Sequence, residues 1–233
     1  MKQNLKRAHI YILCQFLFLT LFISPAFAWF GKTHLAIAKA AGYKNWYNAA
    51  AADLAKLKAG DIEQFNHYVN NQRSTVITPE MVLEQADRYN DPHDRDGHLY
   101  GAIVASVRRY IKDKKEGRYP EDNMAYCAHY VGDLSMPLHN IAFTPYNKKN
   151  HMKMDGIIER EILNNVSGIK INRITIKTEK ELAKEVARIA NISMNLGFRL
   201  EDENRMITKE EAYRQVSYSV SLLKAILEYV DSE

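Results

Sequence analysis

Between Ala125 and Glu159 the chain twice sets a histidine and an aspartate four residues apart, His129 with Asp133 and His151 with Asp155, and places His139 between the pairs. Residues four apart on a helix lie one above the other on one face. Each pair therefore presents an imidazole beside a carboxylate. Opposite the first pair, Cys127, Tyr130, Val131 and Leu134 form an apolar stripe that anchors the helix in a core, and Gly132 leaves the polar face uncrowded. Pro137 ends that helix, and His139 follows in a turn from which it can swing back toward the same centre. Whatever fold this chain adopts must bring two helices and the turn between them around one polar point.

The rest of the sequence supplies helices for that purpose. Helix-forming composition and helical spacing of apolar residues run over His34–Ala41, Trp46–Lys58, Pro79–Arg88, Leu99–Lys112, Glu121–Leu134, Asp155–Leu163, Thr178–Leu196 and Thr208–Val230. Val166–Lys177 alternates like a strand but has no partner, so an extended connection is expected there. The segments 113–119 and 147–150 read as exposed turns. The expected fold is all-α, a single compact multi-helix domain spanning residues 29–233.

Ahead of that domain, Lys2, Lys6 and Arg7 precede an apolar run from Ile10 to Ile23, and Ala26-Phe27-Ala28 supplies small residues at a cleavage position. The run is short for a membrane span. Residues 1–28 are thus expected to be a signal peptide cut after Ala28, giving a secreted or periplasmic protein with no stable span after cleavage and with Trp29 as its first residue. The leader carries three basic residues and no acidic one, so its loss brings the formal charge of +4 close to neutral. Net charge then gives no argument for a nucleic-acid or anionic-membrane partner. Cys14 leaves with the leader and Cys127 remains alone, which excludes an intramolecular disulfide. No obligate protein partner is inferred.

Neutral imidazole nitrogen with carboxylate oxygen, and no thiolate, suits zinc outside a structural zinc finger. Burying three histidines and two carboxylates without a cation would be costly. "HYVGDLSMPLH" followed by "HMKMD" resembles the core of the zinc-dependent phospholipase C and single-strand-specific nuclease superfamily, secreted all-helical enzymes with three zinc ions in one cleft. In that superfamily the mature N-terminal tryptophan binds zinc through its free amine and its carbonyl oxygen. The five-residue step from Trp29 to His34, and the aspartate closing the second pair, resemble the nuclease branch.

The resemblance implies that the domain is built around a multinuclear zinc cleft holding up to three zinc ions. One would sit on Trp29, His34 and Asp133, with Asp133 bridging toward a second held by His129 and Asp61. The third would sit between His139, His151 and Asp155. A further histidine ligand for the second zinc is implied within "ADRYNDPHDRDGHLYG", where His98 matches a His-x-Tyr unit and Asp87 and His93 are alternatives. The implied activity is phosphodiester hydrolysis, on single-stranded nucleic acid or a phospholipid headgroup, with Asp61 orienting or deprotonating the attacking water. A non-catalytic zinc-binding helical envelope protein of the same fold is the alternative.

Overall fold

The computed structural model describes residues 29–233; the expected leader and its cleavage pattern lie outside the described residues. Nine α-helices follow in order among them: α1 (Gly31–Ala41), α2 (Ala51–Ala59), α3 (Asp61–Gln64), α4 (Pro79–Ala86), α5 (Leu99–Lys115), α6 (Glu121–Leu134), α7 (Pro145–Asp155), α8 (Glu179–Asp202) and α9 (Lys209–Ser232). Single 3-10 turns cover Trp46–Asn48, Pro137–Asn140, Ile162–Asn164 and Val166–Gly168. No strand occurs among the described residues, and 169–177 is an extended connection as expected.

The two longest helices carry their start signals in the sequence. Thr178 with Glu181, and Thr208 with Glu211, form capping boxes in which each threonine accepts the N3 amide and each glutamate reaches back to the cap. α6 is the centre of the molecule, packed by α1, α2, α5, α8 and α9. From Met124 to Leu134 all but Tyr126 of its side chains are buried, so the helix has no wet face and its His129–Asp133 side is interior too. Gly197 on α8 faces the carbonyl of Pro137, and a side chain there would collide with that backbone. Its bareness lets the turn carrying His139 press against α8.

Four expected boundaries shift. The helix expected over Trp46–Lys58 is a 3-10 turn followed by α2. α1 starts at Gly31 because Glu159, far along the chain, caps it: Glu159 Oε1 accepts from Lys32 N at 2.9 Å and Oε2 from Thr33 N at 3.0 Å. The turn expected at 147–150 lies inside α7, which Thr144 caps at Asn147 N (3.2 Å) with Pro145 in the first helical position. His151 and Asp155 therefore close a helix instead of opening one, and residues 156–163 hold turns where a helix was expected.

Candidate metal centre

α6 contributes His129 and Asp133, both fully buried. α1 crosses them and brings His34, whose ring stacks on His129 with centroids 3.8 Å apart. That stacking needs Gly132, because a Cβ at this position would overlap the His34 imidazole. α2 adds Asp53, and the segment after α3 adds His67. The segments carrying His67 and His139 are tied together: His139 Nδ1 donates to the His67 carbonyl at 2.5 Å and Val69 N donates to the His139 carbonyl at 2.8 Å. α7 completes the set with His151 and Asp155.

These residues fall into three groups, His34/His129/Asp133, Asp53/His67/His129 and His139/His151/Asp155, with ligand-capable atoms within 4.8 Å of one another in each. Hydrogen bonds on the far side of the rings fix which nitrogen points inward. His129 Nδ1 donates to the Ala49 carbonyl at 3.0 Å, which leaves Nε2 to face the groups. Asn147 directs its amide Nδ2 at the carbonyls of Leu138, Ile141 and Ala142, so its Oδ1 accepts from His151 Nδ1 at 2.8 Å. His139 and His151 thus turn two bare Nε2 lone pairs toward each other at 3.1 Å. Glu63 Oε1 lies 3.2 Å from His67 Nε2 and accepts from Tyr130 Oη at 2.6 Å. His67 thus lies between two carboxylates, its Nδ1 2.9 Å from Asp133 Oδ2, so Glu63 would keep the Nε2 proton if a cation took the Nδ1 lone pair.

The polar atoms left over test whether a cation fits. Among the described residues, the buried side-chain nitrogens and oxygens without a hydrogen-bond partner are His34 Nδ1 and Nε2, Asp53 Oδ1, Asp133 Oδ1 and both Asp155 oxygens. Every one belongs to the three groups. Lys56 Nζ approaches Asp53 Oδ1 to 2.7 Å and His34 Nε2 approaches Asp133 Oδ1 to 3.4 Å, in each case without hydrogen-bond alignment. Buried polar atoms are almost always satisfied, so six orphans confined to these three groups mark positions where metal ions could be held.

The titration behaviour agrees. Burial, reinforced by neighbouring His129, lowers His34 to about 4, and burial with neighbouring His139 lowers His151 to about 3. Burial lowers His139 as well. These imidazoles are neutral at pH 7, the form that binds metal. Burial resists charge on His129 and on Asp133, but their mutual attraction prevails, with Asp53 adding to the rise at His129. Asp155, buried with no cationic partner at contact, is pushed well above the carboxylate range.

A cleft of about 360 Å³ opens onto His67, His139 and His151, with Lys56, Tyr68 and Phe143 among its walls.

Of the residues expected at the centre, His34, His129, Asp133, His139, His151 and Asp155 are brought together. Trp29 is fully buried beside them, its Nε1 donating to Ser135 Oγ at 3.4 Å, while Phe30 N donates to the Asp155 carbonyl at 3.4 Å. The chain thus enters between the ligand-bearing ends of α6 and α7. Asp61 and His98 are not at the centre. Asp61 is exposed at the start of α3, where the positive φ of Gly60 turns the chain outward. His98 is buried but engaged on both nitrogens, with Asn66 Oδ1 at 2.7 Å and Asp94 Oδ2 at 3.1 Å. Asp87 and His93 are exposed. The places expected for Asp61 and His98 are filled by Asp53 and His67. Two signals for them stood in the sequence: Asp53 is the one carboxylate of the apolar segment Ala49–Leu57, and Glu63 with His67 repeats the four-residue carboxylate–imidazole spacing.

Neither models of known protein families, nor curated proteins, nor solved structures provide a match for this chain.

Proposed function

We propose that the protein is a zinc-dependent phosphodiesterase. The observation that carries this reading is that all six orphaned buried polar atoms found among the described residues belong to three histidine–carboxylate groups, two of which reach an open cleft through His67, His139 and His151. The donors are imidazole nitrogen and carboxylate oxygen, a mixture zinc favours. Bound there, zinc ions supply Lewis acidity and a nucleophile at neutral pH.

The chain's own residues supply the remainder. His129, His139 and His151 offer lone pairs whose direction is set by Ala49, His67 and Asn147, so little reorganisation is needed on binding. Asp133, a member of the first group, sets Oδ1 3.4 Å from His34 and Oδ2 2.9 Å from His67 of the second, so its carboxylate would serve both. Lys56, from the same helix as Asp53, lines the cleft and places an ammonium where a phosphodiester anion would enter, and Lys148 offers a second. Trp29, buried and held by Ser135, would offer a free amine and its carbonyl oxygen as further donors when it is the first residue. Asp61 is exposed and outside the cleft lining, so the proton-handling role implied for it has no support in the geometry.

The test uses a generic diester, bis(p-nitrophenyl) phosphate, together with metal analysis. His129→Ala removes a member of two groups, so it should lose bound zinc and lower hydrolysis at least about a hundredfold. Full zinc content in that variant would overturn the assignment. Zinc bound by the unaltered protein without any diester hydrolysis would favour the non-catalytic alternative.

A further inference from the structure

The near-neutral charge of the domain conceals an uneven surface around the cleft. Among the described residues nine large apolar side chains are exposed, and five of them, Leu54, Leu57, Ile62, Phe143 and Met152, stand on the two walls of the cleft. One wall is α2 with α3, which send Lys56 and Gln64 into the cleft; the other is α7 with the residue pair before its cap. Leu54 and Leu57 are 64% and 67% exposed and three residues apart, so they share the outer face of α2. Phe143 is 62% exposed.

The charges on these walls are one-sided. Lys58, Lys148, Lys149 and Lys153 are exposed, whereas Asp61 is the one exposed carboxylate; Asp53, Glu63 and Asp155 all point inward and are buried. α7 in particular shows solvent a stripe of Lys149 and Lys153 next to a stripe of Lys148 and Met152. Aliphatic side chains interleaved with lysines suit an interface where the apolar groups enter the acyl boundary and the ammonium groups meet anionic headgroups. A nucleic-acid surface would call for stacking faces in place of Leu54, Leu57 and Ile62.

We propose that the rim of the cleft docks on a phospholipid bilayer bearing anionic lipid, through Leu54 and Leu57 on one side and Lys149 and Lys153 on the other. Docking in this pose points the cleft at the headgroup layer. That consequence rests on the phosphodiesterase reading, whereas docking itself does not.

The experiment is co-sedimentation of the zinc-loaded protein, its N-terminus verified as Trp29 so that the apolar leader is absent, with vesicles of phosphatidylcholine alone or mixed with phosphatidylglycerol. Binding should be strong only to the mixed vesicles and should weaken with salt. Lys149→Glu/Lys153→Glu and Leu54→Ser/Leu57→Ser, all at exposed positions outside the cleft lining, should each lower partitioning at least about tenfold. Both should keep the zinc content and the hydrolysis of bis(p-nitrophenyl) phosphate. No partitioning by the unaltered protein, equal partitioning of the variants, or capture of single-stranded DNA in place of vesicles would overturn the docking proposal while leaving the metal assignment to its own test.

Discussion

At the residue scale the protein is governed by where imidazole protons sit. His139 and His151 face each other at 3.1 Å with protons held on their outer nitrogens, an arrangement that a shared cation makes favourable. In the metal-free protein the same burial has a cost that pH exposes. The unfolded chain protonates His151 near 6.5, whereas the folded chain holds it neutral down to about 3. Between those values the unfolded state binds a proton that the folded state does not, so the contribution of His151 to stability is present above 6.5 and is lost as pH falls. Denaturant unfolding of metal-free protein at pH 7 and pH 5 should therefore show a loss smaller by up to about 2 kcal/mol in His151→Gln than in the parent. Equal losses would contradict the buried neutral imidazole.

The residues also show what a sequence can and cannot tell. The His129–Asp133 and His151–Asp155 pairs were legible because helix periodicity brings them onto one face without help from the rest of the fold. Asp53 and His67 left local signals that do not say where they go, because they reach the centre through the packing of α2 on α6 and through hydrogen bonds between the 67–69 segment and the His139 turn. His98 matched a local pattern, yet Asn66 and Asp94 occupy it.

At the element scale the decisive crossing is α1 over α6. Gly132 sits inside a helix, where alanine would ordinarily stabilise by about 1 kcal/mol. Here a Cβ meets the His34 ring, and the overlap should reverse the sign. Gly132→Ala is expected to destabilise by about 1–3 kcal/mol in thermal or denaturant unfolding and to lose the cation of the His34 group. A stabilised variant with full metal content would show that α1 does not cross where the structure places it. Element boundaries divide along similar lines. The capping boxes of α8 and α9 are written locally, and both helices start where the sequence places them. The start of α1 depends on Glu159, more than a hundred residues away, and no local signal could place it.

For the whole molecule, helical composition and the lack of a disulfide already implied an all-α domain stabilised by packing around a polar interior, and the structure has that form. Its central helix is apolar on one side and ligand-bearing on the other, and both sides are buried. Among the described residues the core contains six unsatisfied polar atoms, which is expensive unless cations complete it. The fold and the proposed activity are therefore coupled through metal. The charge of the whole chain, by contrast, hid the lysine-rich rim, because net charge averages over surfaces that packing separates.

The central claim is that three metal ions complete this interior, and zinc content per chain tests it most directly. Protein beginning at Trp29, purified without chelator and analysed by mass spectrometry of the elements, should contain three zinc ions per chain. A form retaining one extra residue before Trp29 should contain two. One zinc ion or none in the protein beginning at Trp29 would contradict the account.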